Sequence, residues 1–180
     1  PFANSGLVVT VDPLAMQAWA LDRELDPEDP LLGMVYRQHI EAEGYRLGGG
    51  DFVAPAQRIT DVYDQRLSRD LPETSYRRGT RSAPVLSMFP TDIAEALRQA
   101  LPLLDQKLPG FFSNNGVFVG CETRTSSPVR ICRGRDRMSP SHPGLYPVGE
   151  GAGYAGGIVS AAIDGINSLR AAADQGGACR

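Results

Sequence analysis

The stretch GEGAGYAGGIVSAAIDG, residues 149–165, sets six glycines in seventeen positions and runs directly into a helical pattern. Backbone this bare lets another group approach closely. Within it, Gly151-x-Gly153-x-x-Gly156 matches the GxGxxG dinucleotide fingerprint. That fingerprint works only with a strand before it, a helix after it, and a second strand ending in an acidic residue that reads the ribose. Here the helix expected from about Gly156 to Ala173 is followed only by DQGGACR. No β-α-β unit can close on these residues, so a self-sufficient Rossmann nucleotide site is not expected.

The helix still carries information. Gly157, Ala161 and Gly165 recur at i, i+4 and i+8, a bald stripe suited to close packing against backbone or a flat ligand. Ile158, Ala162, Ile166 and Leu169 form the neighbouring apolar face. A helix entered through glycines presents free N–H groups and a positive dipole end. Glu150, just before it, would repel a phosphate there but could accept hydrogen bonds from sugar or ribityl hydroxyls. A glycine-rich turn followed by a tightly packed structural helix accounts for the same residues.

Upstream, the patterns predict a mixture of elements. SGLVVTV (5–11) reads as a strand. Asp12-Pro13 and Asp29-Pro30 each read as an N-cap followed by proline at the first helical position. The first opens a helix carrying Leu14, Ala18, Leu21 and Leu25; the second opens a helix from Leu31 to about Leu47, stopped by Gly48-Gly49-Gly50. Residues 51–90, with Pro55, Pro72, Pro84 and Pro90, show weak periodicity and read as irregular. A loop that long usually covers a site or wraps a neighbour. Thr91 is placed as the cap of a third helix, with Ile93, Leu97, Ala100, Leu101 and Leu104 on one face and Pro102 kinking or breaking its end. GVFVGCET (116–123), SPVRI (127–131) and GLYPV (144–148) read as short strands.

Composition matters here for what it excludes. The net charge of −3 gives no general reason to expect nucleic acid or an anionic membrane as partner. The arginines Arg66, Arg69, Arg77, Arg78 and Arg81 make one loop locally basic, but only Tyr76 lies next to them in sequence, so a solvated loop is expected. No apolar run approaches the roughly 20 residues of a spanning helix. PFANSG has neither a basic start nor an apolar signal core and lacks an initiator Met. A cytoplasmic protein, and a processed or excised piece, are the expectations. Cys121, Cys132 and Cys179 sit at no metal-like or CxxC spacing, so buried or idle thiols are expected and no metal site. His39 and His142 read as incidental, and no Ser-His-Asp constellation can be assembled.

ETRTSSPVRI (122–131) and GLYPVGEGAGYAGGIVSAAIDGI (144–166) resemble the C-terminal signature of bacterial FAD-dependent dehydrogenases, flavoproteins of the two-dinucleotide-binding kind. NSGLVVTVDP (4–13), LGGGDFVAPAQRITD (47–61) and the ALRQALP helix (96–102) are similar to the family in the same order. The resemblance implies an α+β chain in which 1–135 is an inserted cap or substrate-type domain. It implies that 136–180 is the strand, glycine-rich loop and helix returning to an FAD-binding domain whose ADP-gripping half lies elsewhere in the parent. Carried over, Gly149, Glu150 and Gly151 meet the ribityl-phosphate part of FAD. Gly156, Gly157 and Ile158 meet the isoalloxazine, and Gly153 lies in the same cofactor loop.

Arg124 and Arg130, around Thr125, Ser126 and Ser127, are candidates to hold an anionic substrate or the charge of reduced flavin. Surface salt bridges are the competing account of both. The chain is thus expected to be part of an oxidoreductase acting on a small molecule, inactive and unable to retain FAD alone. The alternative is a non-catalytic module that binds a small ligand or a protein through its glycine-flanked helix.

Overall fold

The computed structural model describes residues 2–124 and 126–177. Thr125 and Cys179, both raised above, lie outside the described residues. Two compact units emerge, the first from Pro1–Glu28 and Val35–Thr123, the second from Asp29–Met34 and Arg124–Arg180. The elements are α1 (Pro13–Leu21), α2 (Leu32–Gly48), β1 (Ala54–Arg58), α3 (Ile59–Tyr63), β2 (Thr80–Ser82), α4 (Thr91–Asp105), β3 (Val117–Val119) and α5 (Ile158–Gly177), with a 3-10 turn at Val85–Met88. The class is α+β, as the sequence implies.

In the first unit, β1 is the middle strand of a three-stranded sheet ordered β2-β1-β3. It runs parallel to β2, with Ala54 opposite Thr80, and antiparallel to β3, with Ala56 opposite Val119. This corrects the reading of 51–90 as irregular. The segment APAQR has no β-branched residue and carries a proline, so propensity argues against a strand. Burial overrides it, since Ala54 to Gln57 are all buried. Pro55 falls opposite Gly120, just past the end of β3, where its missing N–H costs little; its carbonyl accepts from Gly120 at 2.9 Å. Leu101, Val62 and Ile59 form the centre of the core, with Leu7, Leu86, Phe111, Phe112 and Phe118 packed against them. The expected face of α4 is buried at Ile93, Leu97 and Leu101.

Local signals hold where the chemistry is local. Asp12 caps α1 by accepting from Leu14 N–H at 2.9 Å; Asp29 accepts from Leu31 N–H at 2.8 Å, but α2 begins at Leu32, so Asp29 is not its N-cap and Pro30 is not its first residue. Three other expectations fail in this unit. SGLVVTV is not a strand: among the described residues nothing pairs with it, and Val8 is 71% exposed. β-branched residues favour a pleated surface only when one is there to join. The helix α1 ends at Leu21, leaves Leu14 and Leu21 exposed, and instead buries Trp19 and Ala20. Trp19 stacks edge-on to Tyr36 at 4.9 Å and contacts His39 at 5.3 Å, and such aromatic contact outweighs the leucine stripe. Thr91 is the first residue of α4 and makes no cap, Pro90 holding the cap position. Pro102 lies inside α4, which continues to Asp105.

In the second unit neither SPVRI nor GLYPV forms a strand. Pro128 and Pro147 each remove a ladder donor. The backbone bonds that remain are isolated, Ile131 N–H to Ala152 O at 3.2 Å and Ser139 N–H to Leu145 O at 2.8 Å. Among the described residues no helix is long and apolar enough to cross a membrane.

Candidate functional site

The second unit is organised around Asp164, on α5. Its carboxylate accepts two hydrogen bonds from Arg133, at 2.9 and 2.7 Å, one from Arg137 at 2.7 Å, and one from Gly149 N–H at 2.9 Å. The side chains of Arg133 and Asp164 are only 10% and 11% exposed. The Arg133 hydrogen bonds hold the Asp164 carboxyl well below the usual carboxylate range; burial opposes this, and Gly149 and Arg137 reinforce it. Bidentate arginine–carboxylate geometry fixes orientation as well as charge. The network pins the glycine-rich loop to the helix that follows, with Gly149 buried at φ +72°.

Tyr154 sits inside that loop. The Arg133 guanidinium lies 3.6 Å from its ring centroid and that of Arg130 lies 5.2 Å away. Its hydroxyl donates to Ile131 O at 2.9 Å. Gly153 (φ +82°) shows why the loop is bare: a Cβ there would meet Val129 O at 2.6 Å and Arg130 Cα at 3.0 Å. Close approach at this glycine is to the chain's own backbone.

A cleft of about 360 Å³ opens beside it, its wall including Ser127, Arg130, Glu150, Gly153, Tyr154 and Gly156. Four of the residues singled out by sequence, Arg130, Glu150, Gly153 and Gly156, therefore share one cavity. Arg124 pairs with Glu150 at 3.3 Å; both are about two-fifths exposed, so the pair contributes little stability. Arg130 Nε donates to Gly153 O at 3.1 Å. Gly151 faces open space. At the start of α5, Gly157 N–H donates to Ser160 Oγ at 3.1 Å, a Cβ at Gly157 would meet nothing nearer than that oxygen at 3.3 Å, and Ile158 is 93% exposed.

Sequence reasoning missed Arg133, Arg137, Tyr154 and Asp164. The legible signal was Asp164 itself, the one charge in the first three turns of the helix, set among Ile163, Gly165 and Ile166. Such a residue needs a partner. Cys121 belongs to the first unit; burial pushes its thiol up, aided by the Glu41 charge, which disfavours the thiolate. His142 is exposed and bonds Ser141 at 2.9 Å. Among the described residues no three His, Cys, Asp or Glu side chains cluster to hold a metal.

The family described as FAD-dependent protein, C-terminal domain-like, matches residues 1–125. This chain belongs to that family. An uncharacterised protein of Clostridium beijerinckii is 40% identical over 166 residues, covering 91% of this chain and 30% of its own length. The chain thus spans under a third of that relative. The family match ends within two residues of the start of the second unit's longer segment, whereas an alignment of 166 residues must run beyond it into the glycine-rich region. As a member of an FAD-dependent family, the chain is part of a flavoprotein.

Proposed function

We propose that the chain is the C-terminal part of an FAD-dependent oxidoreductase, with 136–180 contributing the ribityl and flavin side of the cofactor site and 1–135 a cap facing a small-molecule substrate. The observation that carries this reading is the cleft in which Arg130, Glu150 and the backbone of Gly153 and Gly156 converge, in a chain of an FAD-dependent family. The residues fit part of the cofactor. A cavity of about 360 Å³ suits one portion of a dinucleotide, with a cation, an acceptor carboxylate and an aromatic wall. Bound FAD would supply electron transfer to or from the substrate.

The roles of this chain's residues follow from their chemistry. Glu150 accepts from ribityl hydroxyls while Arg124 orients it. Gly149 and Gly151 keep that approach free of side chains. Arg130 offers positive charge to a phosphate or to the reduced ring. Just before α5, Gly156 offers a backbone N–H and Gly157, whose own N–H is held by Ser160 Oγ, keeps the approach free of a side chain, while Ile158 offers an apolar edge to the isoalloxazine. The exposed Ile158, Ile166 and Leu169 suit coverage by the rest of the parent protein. The free thiols of Cys121 and Cys132 agree with a cytoplasmic setting.

The exposed α5 face also favours a second reading, a non-catalytic module that docks a protein through this helix. Gly157→Val in the full-length parent separates the two. Within the chain a Cβ at Gly157 would press only on Ser160 Oγ, at 3.3 Å, a hydroxyl that can rotate away, so folding should survive, and flavin occupancy measured by absorbance and fluorescence should fall by tenfold or more. Normal FAD binding by that variant would show that the helix does not face the flavin. The 180-residue chain alone should be colourless after gel filtration, because the pyrophosphate-binding fingerprint expected of the parent is not formed within it.

A further inference from the structure

Four consecutive residues with positive φ follow α2: Gly49 (+88°), Gly50 (+88°), Asp51 (+53°) and Phe52 (+60°). The helix end explains the glycines. Gly49 N–H donates to Arg46 O and Gly50 N–H to Tyr45 O, both at 3.1 Å, the paired bonds of a Schellman cap. Phe52 is different. A bulky residue in the left-handed region is strained, and burial does not compensate, because Phe52 is 66% exposed. Surrounding bonds hold it there: Tyr76 Oη donates to Phe52 O at 2.8 Å, and Val53 N–H donates to Gly50 O at 3.1 Å. Strain maintained in this way gathers at sites that present a side chain for use.

The neighbours of that ring are aromatic and cationic. Tyr45 meets it edge-on at 5.7 Å, and the Arg78 guanidinium lies 5.9 Å from its centroid. Tyr45 and Tyr76 are 50% and 42% exposed. The Arg81 side chain reaches the adjacent Gly49. Arg58, Arg66, Arg98, Arg133 and Arg137 are all engaged by carboxylates. Arg78 and Arg81, among the described residues, have no ion-pair or side-chain hydrogen-bond partner. The carbonyl end of α2 gives Arg81 a structural reason to be there, but it does not account for Arg78 or for the strained ring beside it. The basic loop thus has the aromatic company that its own sequence neighbourhood lacked.

We propose that Phe52, Tyr45, Tyr76, Arg78 and Arg81 form a platform for a planar aromatic ligand bearing an anionic group, the ring stacked on Phe52 and the charge held by the guanidiniums. Ring stacking reinforced by arginine is sequence-tolerant and strong enough to bind nucleobases. A purine nucleotide and an aromatic carboxylate share this chemistry. Asp51, next in the chain, is an acceptor for a ribose hydroxyl, a group that an aromatic carboxylate lacks, so the nucleotide is the first arm of the test. All these residues belong to the first unit and none lines the cleft at Glu150, so the platform stands or falls separately from the flavin reading.

The test is calorimetric titration of the 180-residue chain with ADP, indole acetate, adenosine and inorganic phosphate. ADP should bind saturably and at least about tenfold tighter than phosphate or adenosine alone. Indole acetate binding without ADP binding would assign the platform to aromatic carboxylates. Phe52→Gly removes the ring and relieves the strain together, so its melting temperature should hold or rise while ADP affinity falls about tenfold. Arg78→Gln, a surface change that leaves the fold intact, should weaken ADP about threefold. Binding of neither aromatic anion, phosphate binding as tightly as ADP, or unchanged ADP affinity in Phe52→Gly or in Arg78→Gln would overturn the proposal.

Discussion

Leu101 and Asp164 hold their respective units together by opposite means. Leu101 is fully buried, on a helix whose apolar face meets Ile59 and Val62 and the aromatics around them. Asp164 is a charge on a helix whose large apolar residues, Ile158, Val159, Ile163, Ile166 and Leu169, are all more than half exposed. The first unit has a sheet to cover; the second has no strand among its described residues and fastens α5 with two arginines and a backbone N–H. A fold stabilised by area is insensitive to the loss of one polar contact. A fold fastened by a few charged contacts is not.

The largest expected effect tests that difference directly. Asp164→Ala leaves the nearly buried Arg133 guanidinium without its carboxylate and the Gly149 N–H without its acceptor. Breaking a buried pair from one side costs about 3 to 5 kcal/mol. Amide hydrogen exchange should show protection lost along α5 and unchanged in β1. Equal loss in both units would break the comparison. Leu101→Ala should cost about 2 to 5 kcal/mol, centred near 3, through the lost transfer energy and the cavity. Urea unfolding read at the first unit's Trp19 would measure it, and α5 protection should change little.

Titration sharpens the contrast. The Tyr36 hydroxyl is pushed up to about 12, first by burial and then by the Asp92 charge, with Arg23 opposing. The folded state holds that proton more tightly than the unfolded one. Its contribution, on the order of 2 kcal/mol, is therefore complete below the unfolded value of 10.0 and lost as pH rises through about 12. Asp164 runs the other way: its contribution is present above the unfolded carboxyl value of 3.8 and lost as pH falls below it. Asp61, in the first unit, shares that direction, its carboxyl lowered by the Ser68 hydroxyl first, against burial, and by Arg66. Acid should thus weaken both units, while tyrosinate absorbance at Tyr36 should track loss of the first. A Tyr36→Phe variant that keeps the same alkaline loss would refute the assignment.

The smallest effect is a gain. A Cβ at Gly165 would meet only Val148 Cγ2, at 4.0 Å. Gly165→Ala should raise stability by up to about 1 kcal/mol through helix propensity, visible as a higher urea midpoint for the helical signal. A loss there would mean that α5 is packed more closely than its own unit requires.

Local chemistry was legible in advance. The Asp12-Pro13 start, the glycine stop after α2 and the buried face of α4 depend on residues a few positions apart, which sequence displays. Gly153 and Glu150 were legible as members of one loop. The partners that shape the loop were not, because Arg133 and Asp164 lie 31 positions apart and neither has a local pattern pointing to the other. The same limit explains the strands. SGLVVTV has the better β propensity and forms none, while APAQR has little and becomes the centre of the sheet. The Asp12 cap and the glycine stop after α2 close over one or two turns of chain, so the sequence alone determined them. Sheet membership, the buried ion network and the exposed ring of Phe52 depend on which distant segments supply a hydrogen-bond ladder, a counter-charge or a bond that sustains strain, and only the tertiary structure decides that.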